Sequence, residues 1–117
     1  MPIDFSFSQE VEDARLMMRG FLQDTVKPAF AALQADKNAQ RADWSALVKS
    51  LRQKPKAQGF WLPHMPQDVG GMGLGVTALA AVSAEAAKIP MGPYIINAQA
   101  PDEGNMHTLY HFATDYQ

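Results

Sequence analysis

The stretch PQDVGGMGLG, from Pro66 to Gly75, runs directly into the apolar segment VTALAAVSAEAA, which ends at Ala87. Four of the last six residues of the first stretch are glycine. A glycine-rich turn that opens a helix either presents free backbone N–H groups to a phosphate or makes a tight connection between two elements. The segment after it has so few polar side chains that we predict a helix buried on most of its sides.

The positions of the glycines favour the tight connection. A dinucleotide-binding G-x-G-x-x-G that starts at Gly71 would need glycine where Val76 stands. Gly70 and Gly75 have the spacing of a Walker loop, but Val76 also occupies the place of its phosphate-binding lysine. No strand pattern precedes either match. Nucleotide or phosphate binding by this loop is therefore the weakest functional hypothesis.

The composition indicates one globular domain without redox-active thiols. The 117 residues are 47% hydrophobic and the net charge is −2, so neither nucleic acid nor anionic lipid is an expected partner. The absence of cysteine excludes disulfides, thiolate catalysis and cysteine-ligated metals. The N-terminal stretch MPIDFSFSQE carries no basic side chain, and no apolar run reaches about 20 residues. We expect no signal peptide, no membrane span and a cytoplasmic location.

The N-terminal third has the pattern of a long amphipathic helix. Ser8 is the predicted N-cap, and apolar residues then recur at helical spacing as far as Val26. Pro28 is expected to interrupt this helix, because proline lacks the N–H group and clashes with the preceding turn. A shorter helix is expected to resume through Phe30 and Leu33.

The remaining segments also indicate helices joined by irregular connections. Asp43 is predicted to cap a second helix, which Pro55 ends or kinks. The segment GFWLP at 59–63 is predicted to be a buried irregular connection. Residues 91–99 form a short helix or an extended segment, and 101–112 begin with proline and two acids, a good helix start. The predicted class is all-α, an irregular bundle of about five helices.

Few side chains lie at spacings that are typical of catalytic or metal-binding sites. His107 and His111 lie four residues apart and could face one metal ion on a helix, but no third ligand is evident, so surface histidines are the preferred interpretation. His64 has no partner that the sequence identifies. Glu85, inside the apolar helix, is either a pocket acid with a shifted pKa or one half of an ion pair with an arginine of another helix; the ion pair is preferred. No catalytic, cofactor-binding or metal-binding set is predicted.

Six features follow one another along the chain: DFSFSQEVEDARLMMRGFLQDTVKP from Asp4, Trp44 with the helix after it, GFWLP from Gly59, PQDVGGMGLG from Pro66, Ala84-Glu85-Ala86, and NAQAPDEGNMHTLYHFATDYQ from Asn97. Their order resembles the N-terminal domain of the acyl-CoA dehydrogenases, most of all the larger members of that family. The first helical segment, with its phenylalanine-serine start and V-x-P end, resembles the family's first helix. The glycine loop and the segment before it resemble the family's G-L-x-x-L-P-x-E-Y-G-G-x-G pattern, although Val69 replaces the usual aromatic residue.

The resemblance implies one part of a flavoenzyme. Full-length family members have an N-terminal helical domain, a middle β-barrel domain and a C-terminal helical domain. They remove two hydrogens from the Cα–Cβ bond of an acyl-CoA, using a carboxylate base and FAD. Residues 1–117 resemble only the first of these domains, so we expect this chain alone to be inactive and not to bind FAD.

The resemblance also implies partners and a substrate-binding segment. By position, Tyr94, Ile95, Asn97 and Ala98 correspond to the part of the domain that forms one wall of the acyl pocket. The full-length enzyme is expected to use acyl-CoA and electron-transfer flavoprotein and to form a homo-oligomer. The alternative hypothesis is a standalone helical interaction module that derives from the same domain and has no catalytic activity.

Overall fold

A computed structural model describes residues 2–117 of the chain. These residues contain helices and connections but no strand, which confirms the all-α class. The longest helical stretch contains a π turn at Leu22–Val26. A short 3-10 turn at Gln67–Val69 lies just before the glycines. The helices are α1 (Gln9–Phe21), α2 (Lys27–Ala35), α3 (Arg41–Gln58), α4 (Val76–Ala87), α5 (Gly92–Ile96) and α6 (Asp102–Phe112).

The first helix begins as predicted and then passes through the π turn without a break. The Ser8 side chain accepts a hydrogen bond from the N–H group of Val11 at 3.4 Å. At the π turn, Lys27 donates its N–H group to the carbonyl of Leu22, five residues earlier. The interruption expected at Pro28 therefore takes the form of a widened turn just before the proline, where the regular hydrogen-bond pattern cannot continue.

The π turn also explains the spacing of the buried residues. Met18, Leu22 and Val26 are fully buried, and Phe30 packs against the same core. In a regular α-helix a repeat of four residues drifts around the axis by about 40° at each step. The π turn takes up an additional residue, so this four-residue repeat stays directed at the core.

The ends of α3 differ from the prediction. Gln40, not Asp43, is the N-cap, and Asp43 accepts a hydrogen bond from the Gln40 N–H group at 2.8 Å. Pro55 is buried inside the helix, which continues to Gln58. The helix ends at Gly59, whose φ of 84° lies in the left-handed region that favours glycine.

The core lies where α1 packs on α4 and where α5 joins α3 to α4. Phe21 and Phe60 meet edge to face with ring centroids 4.7 Å apart, so the 59–63 connection is part of the core, as expected. No helix among residues 2–117 has the length and apolar composition needed to cross a bilayer. The buried core comprises Met18, Phe21, Leu22, Val26, Leu51, Phe60, Val82, Ala86, Ile89, Ile95 and Ile96.

Helix α4 is covered on one face only. Ala81, Val82 and Ala86 are buried, but the opposite face, Ala80, Ala84 and Ala87, is exposed, and Val76 at the start is 86% exposed. The prediction that this helix is buried on most of its sides is wrong for this chain, because the molecule is flat. Its extents are 56 × 47 × 22 Å. The radius of gyration is 16.1 Å, compared with about 13 Å for a compact domain of this length.

Candidate functional site

The glycine loop makes a tight connection in which four backbone donors are already occupied. Four consecutive N–H groups donate to backbone carbonyls: Gly70 to Gln67 at 3.0 Å, Gly71 to Pro66 at 2.9 Å, Met72 to Leu62 at 3.2 Å and Gly73 to Met65 at 2.9 Å. A phosphate cradle needs such groups free. Gly75 then forms the N-cap of α4. These contacts support the tight connection and disfavour the nucleotide hypothesis.

His64, just before the glycine loop, lies in a buried position between α5 and α6. The side chain of His64 is 7% exposed. Its Nε2 lies 3.0 Å from the carbonyl oxygen of Asn97, at the end of α5, and its Nδ1 lies 3.2 Å from Nε2 of His107 on α6. The residue for which the sequence identified no partner therefore has two.

Helix α6 adds a carboxylate to this histidine pair. Glu103 lies one helical turn before His107, and the ligand atoms of Glu103, His107 and His64 are all within 4.8 Å of one another. His107 is half-buried and contacts His64, a partner that its interpretation as a surface histidine did not include. His111 is exposed and lies outside this group, with its ring centroid 6.2 Å from that of His107. The sequence spacing suggested His111 as the partner of His107, but in the fold the histidine that lies against His107 is His64.

Glu85 is the centre of an ion-pair cluster between α1 and α4. Arg19 donates to both of its oxygens at 2.7 and 3.1 Å, Arg15 donates at 2.8 Å and Lys88 at 3.1 Å. The hydrogen bond from Arg19, with those from Lys88 and Arg15, lowers the pKa of Glu85 from 4.5 to about 2 although burial opposes this. Arg15 also pairs with Glu12. The preferred interpretation of Glu85 as an ion-paired carboxylate is confirmed.

An apolar cleft of about 790 Å³ lies between α2, α3 and the segment that joins α4 to α5. The rings of Phe30 and Trp44 stack in its wall with centroids 5.9 Å apart. Lys27 and Arg41 also line it and add positive charge to an otherwise apolar surface. An elongated apolar ligand with an acidic group would match this lining.

The four residues predicted to form the acyl-pocket wall lie in different surroundings. Tyr94 lines the cleft and lies against Arg52, whose guanidinium carbon is 4.3 Å from the ring centroid. Ile95 is fully buried in the core, and Ala98 packs against it. Asn97 is buried, and its side-chain oxygen accepts a hydrogen bond from Arg52 at 3.2 Å. Of the four, Tyr94 is the one that faces the cleft.

Comparison with known proteins agrees with this architecture. The family described as acyl-CoA dehydrogenase, N-terminal domain, matches residues 8–117. The chain is similar to the probable acyl-CoA dehydrogenase FadE2 of Mycobacterium tuberculosis, with 30% identity over 98% of this chain. It is also similar to acyl-CoA dehydrogenase family member 11 of Rattus norvegicus, with 25% identity over 97% of this chain. Family member 10 of Mus musculus is 30% identical over 83% of this chain.

The chain spans only part of the length of these relatives. It covers 28% of the mycobacterial protein, 15% of the rat protein and 10% of the mouse protein. No solved structure matches the chain. Because the family match extends over nearly all of its residues, the chain belongs to the acyl-CoA dehydrogenase family and corresponds to the N-terminal helical domain of that family.

Proposed function

We propose that this chain acts as the N-terminal domain of an FAD-dependent acyl-CoA dehydrogenase, an oxidoreductase that converts acyl-CoA thioesters to their α,β-unsaturated forms. The observation that carries this proposal is the family match to residues 8–117 in a chain that spans 15% to 28% of the first relatives. In this proposal residues 1–117 form one domain. The middle β-barrel domain and the C-terminal helical domain are separate parts of the working enzyme.

The role proposed for the domain is to form one wall of the acyl pocket. The exposed apolar face of α4 and the flat shape support this role, because both provide surface that further domains can cover. Tyr94 presents an aromatic ring at the apolar cleft, which suits an acyl chain. In this proposal Ile95, Asn97 and Ala98 lie behind the cleft surface and hold Tyr94 in position.

The residues of the glycine loop do not fit the pyrophosphate of FAD. Their N–H groups from Gly70 to Gly73 already donate to backbone carbonyls. The buried acid Glu85 does not suit a base either, because its oxygens already accept hydrogen bonds from two arginines and a lysine, and these lower its pKa to about 2 and make it a poor proton acceptor. We therefore propose that the flavin and the base belong to other domains and that this chain alone is inactive.

The proposed partners follow from the same assignment. Acyl-CoA is the substrate and electron-transfer flavoprotein the electron acceptor of the complete enzyme, which is proposed to be a cytoplasmic homo-oligomer. Nucleic acid and membranes are not proposed as partners, since the net charge is −2 and no spanning helix occurs in residues 2–117.

The test measures mass, flavin and activity on the same preparations. The gene product that carries this chain is purified, and its intact mass and visible absorbance are recorded before an assay of acyl-CoA oxidation with an artificial electron acceptor. A chain of 12.8 kDa is expected to lack flavin and activity, and a longer polypeptide that includes this domain is expected to have both. Turnover of any acyl-CoA by the 12.8 kDa protein would contradict the division of roles, and a longer polypeptide without flavin would contradict the enzyme assignment.

A second candidate is a standalone interaction module, favoured by large apolar side chains that are exposed at the start of α4 and at the end of α6. Val76 is 86% and Phe112 83% exposed. Such a module would cover these surfaces by self-association. Sedimentation equilibrium of the 117-residue chain tests this: a stable dimer supports the module, whereas a well-behaved monomer at all concentrations counts against it.

A further inference from the structure

The cluster of His64, Glu103 and His107 is not used by the proposed function. It joins the segment between the 59–63 connection and the glycine loop to α6, and it combines two imidazoles with one carboxylate. We propose that these three side chains bind a divalent transition-metal ion, with Zn²⁺ as the best match. This proposal is independent of the assignment to an acyl-CoA dehydrogenase, because it rests on the donor atoms alone.

The distance between the two imidazoles suits one shared metal ion. Nδ1 of His64 lies 3.2 Å from Nε2 of His107. At zinc–nitrogen bond lengths of about 2.0–2.1 Å, this separation corresponds to an angle of about 100° at the metal. That angle lies between octahedral and tetrahedral coordination. Glu103 precedes His107 by four residues, so the carboxylate and the imidazole project from the same face of α6.

The second nitrogen of His64 has the partner that metal-binding histidines usually have. Nε2 lies 3.0 Å from the Asn97 carbonyl oxygen, and a carbonyl only accepts, so Nε2 carries the proton. Nδ1 is then unprotonated and, without metal, accepts a hydrogen bond from Nε2 of His107. Binding of a metal ion between the two nitrogens requires His107 to lose this Nε2 proton. A hydrogen bond of this kind to a backbone carbonyl fixes the tautomer and the ring orientation of zinc-binding histidines.

Backbone hydrogen bonds hold the segment that carries His64 in place without a metal ion. Leu62 donates its N–H group to the Ile96 carbonyl at 3.1 Å and accepts hydrogen bonds from the N–H groups of Met65 and Met72. Arg52 donates to the side chain of Asn97, the residue whose carbonyl orients His64. A rigid first ligand lowers the entropy lost on binding, so only the two α6 side chains need to adjust.

The donor set also selects the class of metal. Imidazole nitrogens favour Zn²⁺, Ni²⁺ and Co²⁺, whereas Mg²⁺ and Ca²⁺ prefer oxygen ligands. Three protein ligands leave a fourth position for water or another ligand, as in zinc sites that are not fully closed by protein.

A competing arrangement uses His107 with the exposed His111, four residues later on α6. It would be a simple two-histidine chelate without His64 or Glu103. The two arrangements share His107, so variants of the other residues distinguish them.

The experiment titrates the EDTA-treated 117-residue chain with Zn²⁺ by isothermal calorimetry, with circular dichroism as a check of folding. The variants are His64→Gln, Glu103→Gln and, as the matched control on the same helix, His111→Gln. We expect one Zn²⁺ per chain, a loss of affinity of about tenfold or more in the first two variants, and unchanged affinity in the control. Co²⁺ in place of Zn²⁺ should give a visible absorbance band that the first two variants weaken.

The proposal is overturned if the unmodified chain does not bind Zn²⁺, or if His111→Gln weakens binding while Glu103→Gln does not. Because His64 is buried, its replacement can also affect folding. Glu103 is only half-buried, so Glu103→Gln decides the outcome even if His64→Gln fails to fold.

Discussion

Arg19 donates to both carboxylate oxygens of Glu85, from Nη2 at 2.7 Å and from Nε at 3.1 Å. The carboxylate is 4% exposed, whereas the Arg19 side chain is 41% exposed. The arginine therefore keeps much of its hydration while it neutralises a buried charge, which limits the desolvation cost that such pairs usually carry. This geometry fixes how α1 lies on α4.

Replacement of Glu85 by glutamine should destabilise the fold. The change keeps the size of the side chain but removes the charge that accepts hydrogen bonds from Arg15, Arg19 and Lys88. We expect the free energy of unfolding to fall by about 2 kcal/mol, measured by urea denaturation. The control is Asp13→Asn, an exposed carboxylate on α1, which should change it by less than about 0.5 kcal/mol. Equal effects of the two changes would show that the buried ion-pair cluster contributes no more to the free energy of unfolding than an exposed carboxylate does.

Stability should depend on pH in the acid range through the same residue. The pKa of Glu85 is lowered in the fold from 4.5 to about 2, so the folded state binds the proton less tightly than the unfolded chain does. The stabilisation is fully present above about pH 4.5 and is lost as the pH falls through about 2. Urea denaturation at a series of pH values should show this decrease, and the Glu85→Gln variant should show a smaller one. A variant that loses as much stability with acid as the unmodified chain would contradict this origin.

Replacement of Gly71 by alanine should disturb the glycine loop. A Cβ atom at this position would overlap the backbone carbonyl of Met65, next to His64. We expect the free energy of unfolding to fall by about 2–3 kcal/mol, measured by thermal and urea denaturation. Gly104→Ala is the control, because that Cβ would contact nothing within 4 Å in α6; it should stabilise the chain by about 0.5–1 kcal/mol. A neutral effect of Gly71→Ala would mean that the loop does not pack as described.

Replacement of Arg52 by lysine should weaken the joint between α3 and α5. Arg52 donates to the Tyr94 carbonyl at 2.8 Å, and its guanidinium lies between the rings of Tyr94 and Trp61, 4.3 and 4.8 Å from their centroids. A lysine ammonium cannot stack and donate in this way. We expect a loss of about 1–2 kcal/mol of stability and a change in tryptophan fluorescence. The exposed Lys54 on the same helix provides the control, since Lys54→Ala should leave both properties nearly unchanged; an equal effect would assign the loss to α3 in general.

Patterns within one helix were predictable from the sequence. Ser8 was identified as a cap because a cap acts on the residues that follow it directly. The ion pair of Glu85 was predictable in kind, because a carboxylate in an apolar helix needs a cation. Which arginines pair with it was not predictable, since nothing in the spacing relates α1 to α4.

The proposed metal-ligand cluster shows why residues that are far apart in the sequence cannot be grouped into a site from their spacing. His107 and His111 share a helix, so their spacing could be read directly, but His64 reaches His107 only because the loop after Pro63 folds over α6. Equally, the hydropathy of α4 indicated burial on most sides, while the depth of burial depends on how many layers surround it. In a molecule 22 Å thick only one face is covered.

The π turn at Leu22–Val26 lets one continuous helix serve two partners whose positions are unrelated. Its first half packs on α4 and its second half on α3. Each residue added to a regular helix rotates everything after it by about 100°. The π turn takes up one residue without this rotation, so the buried faces of the two halves can each point at their own partner. Deletion of one residue in this turn would therefore convert it to a regular α-turn with α1 and α2 each still facing their partner, whereas the same deletion inside α2 would rotate the residues after it away from α3.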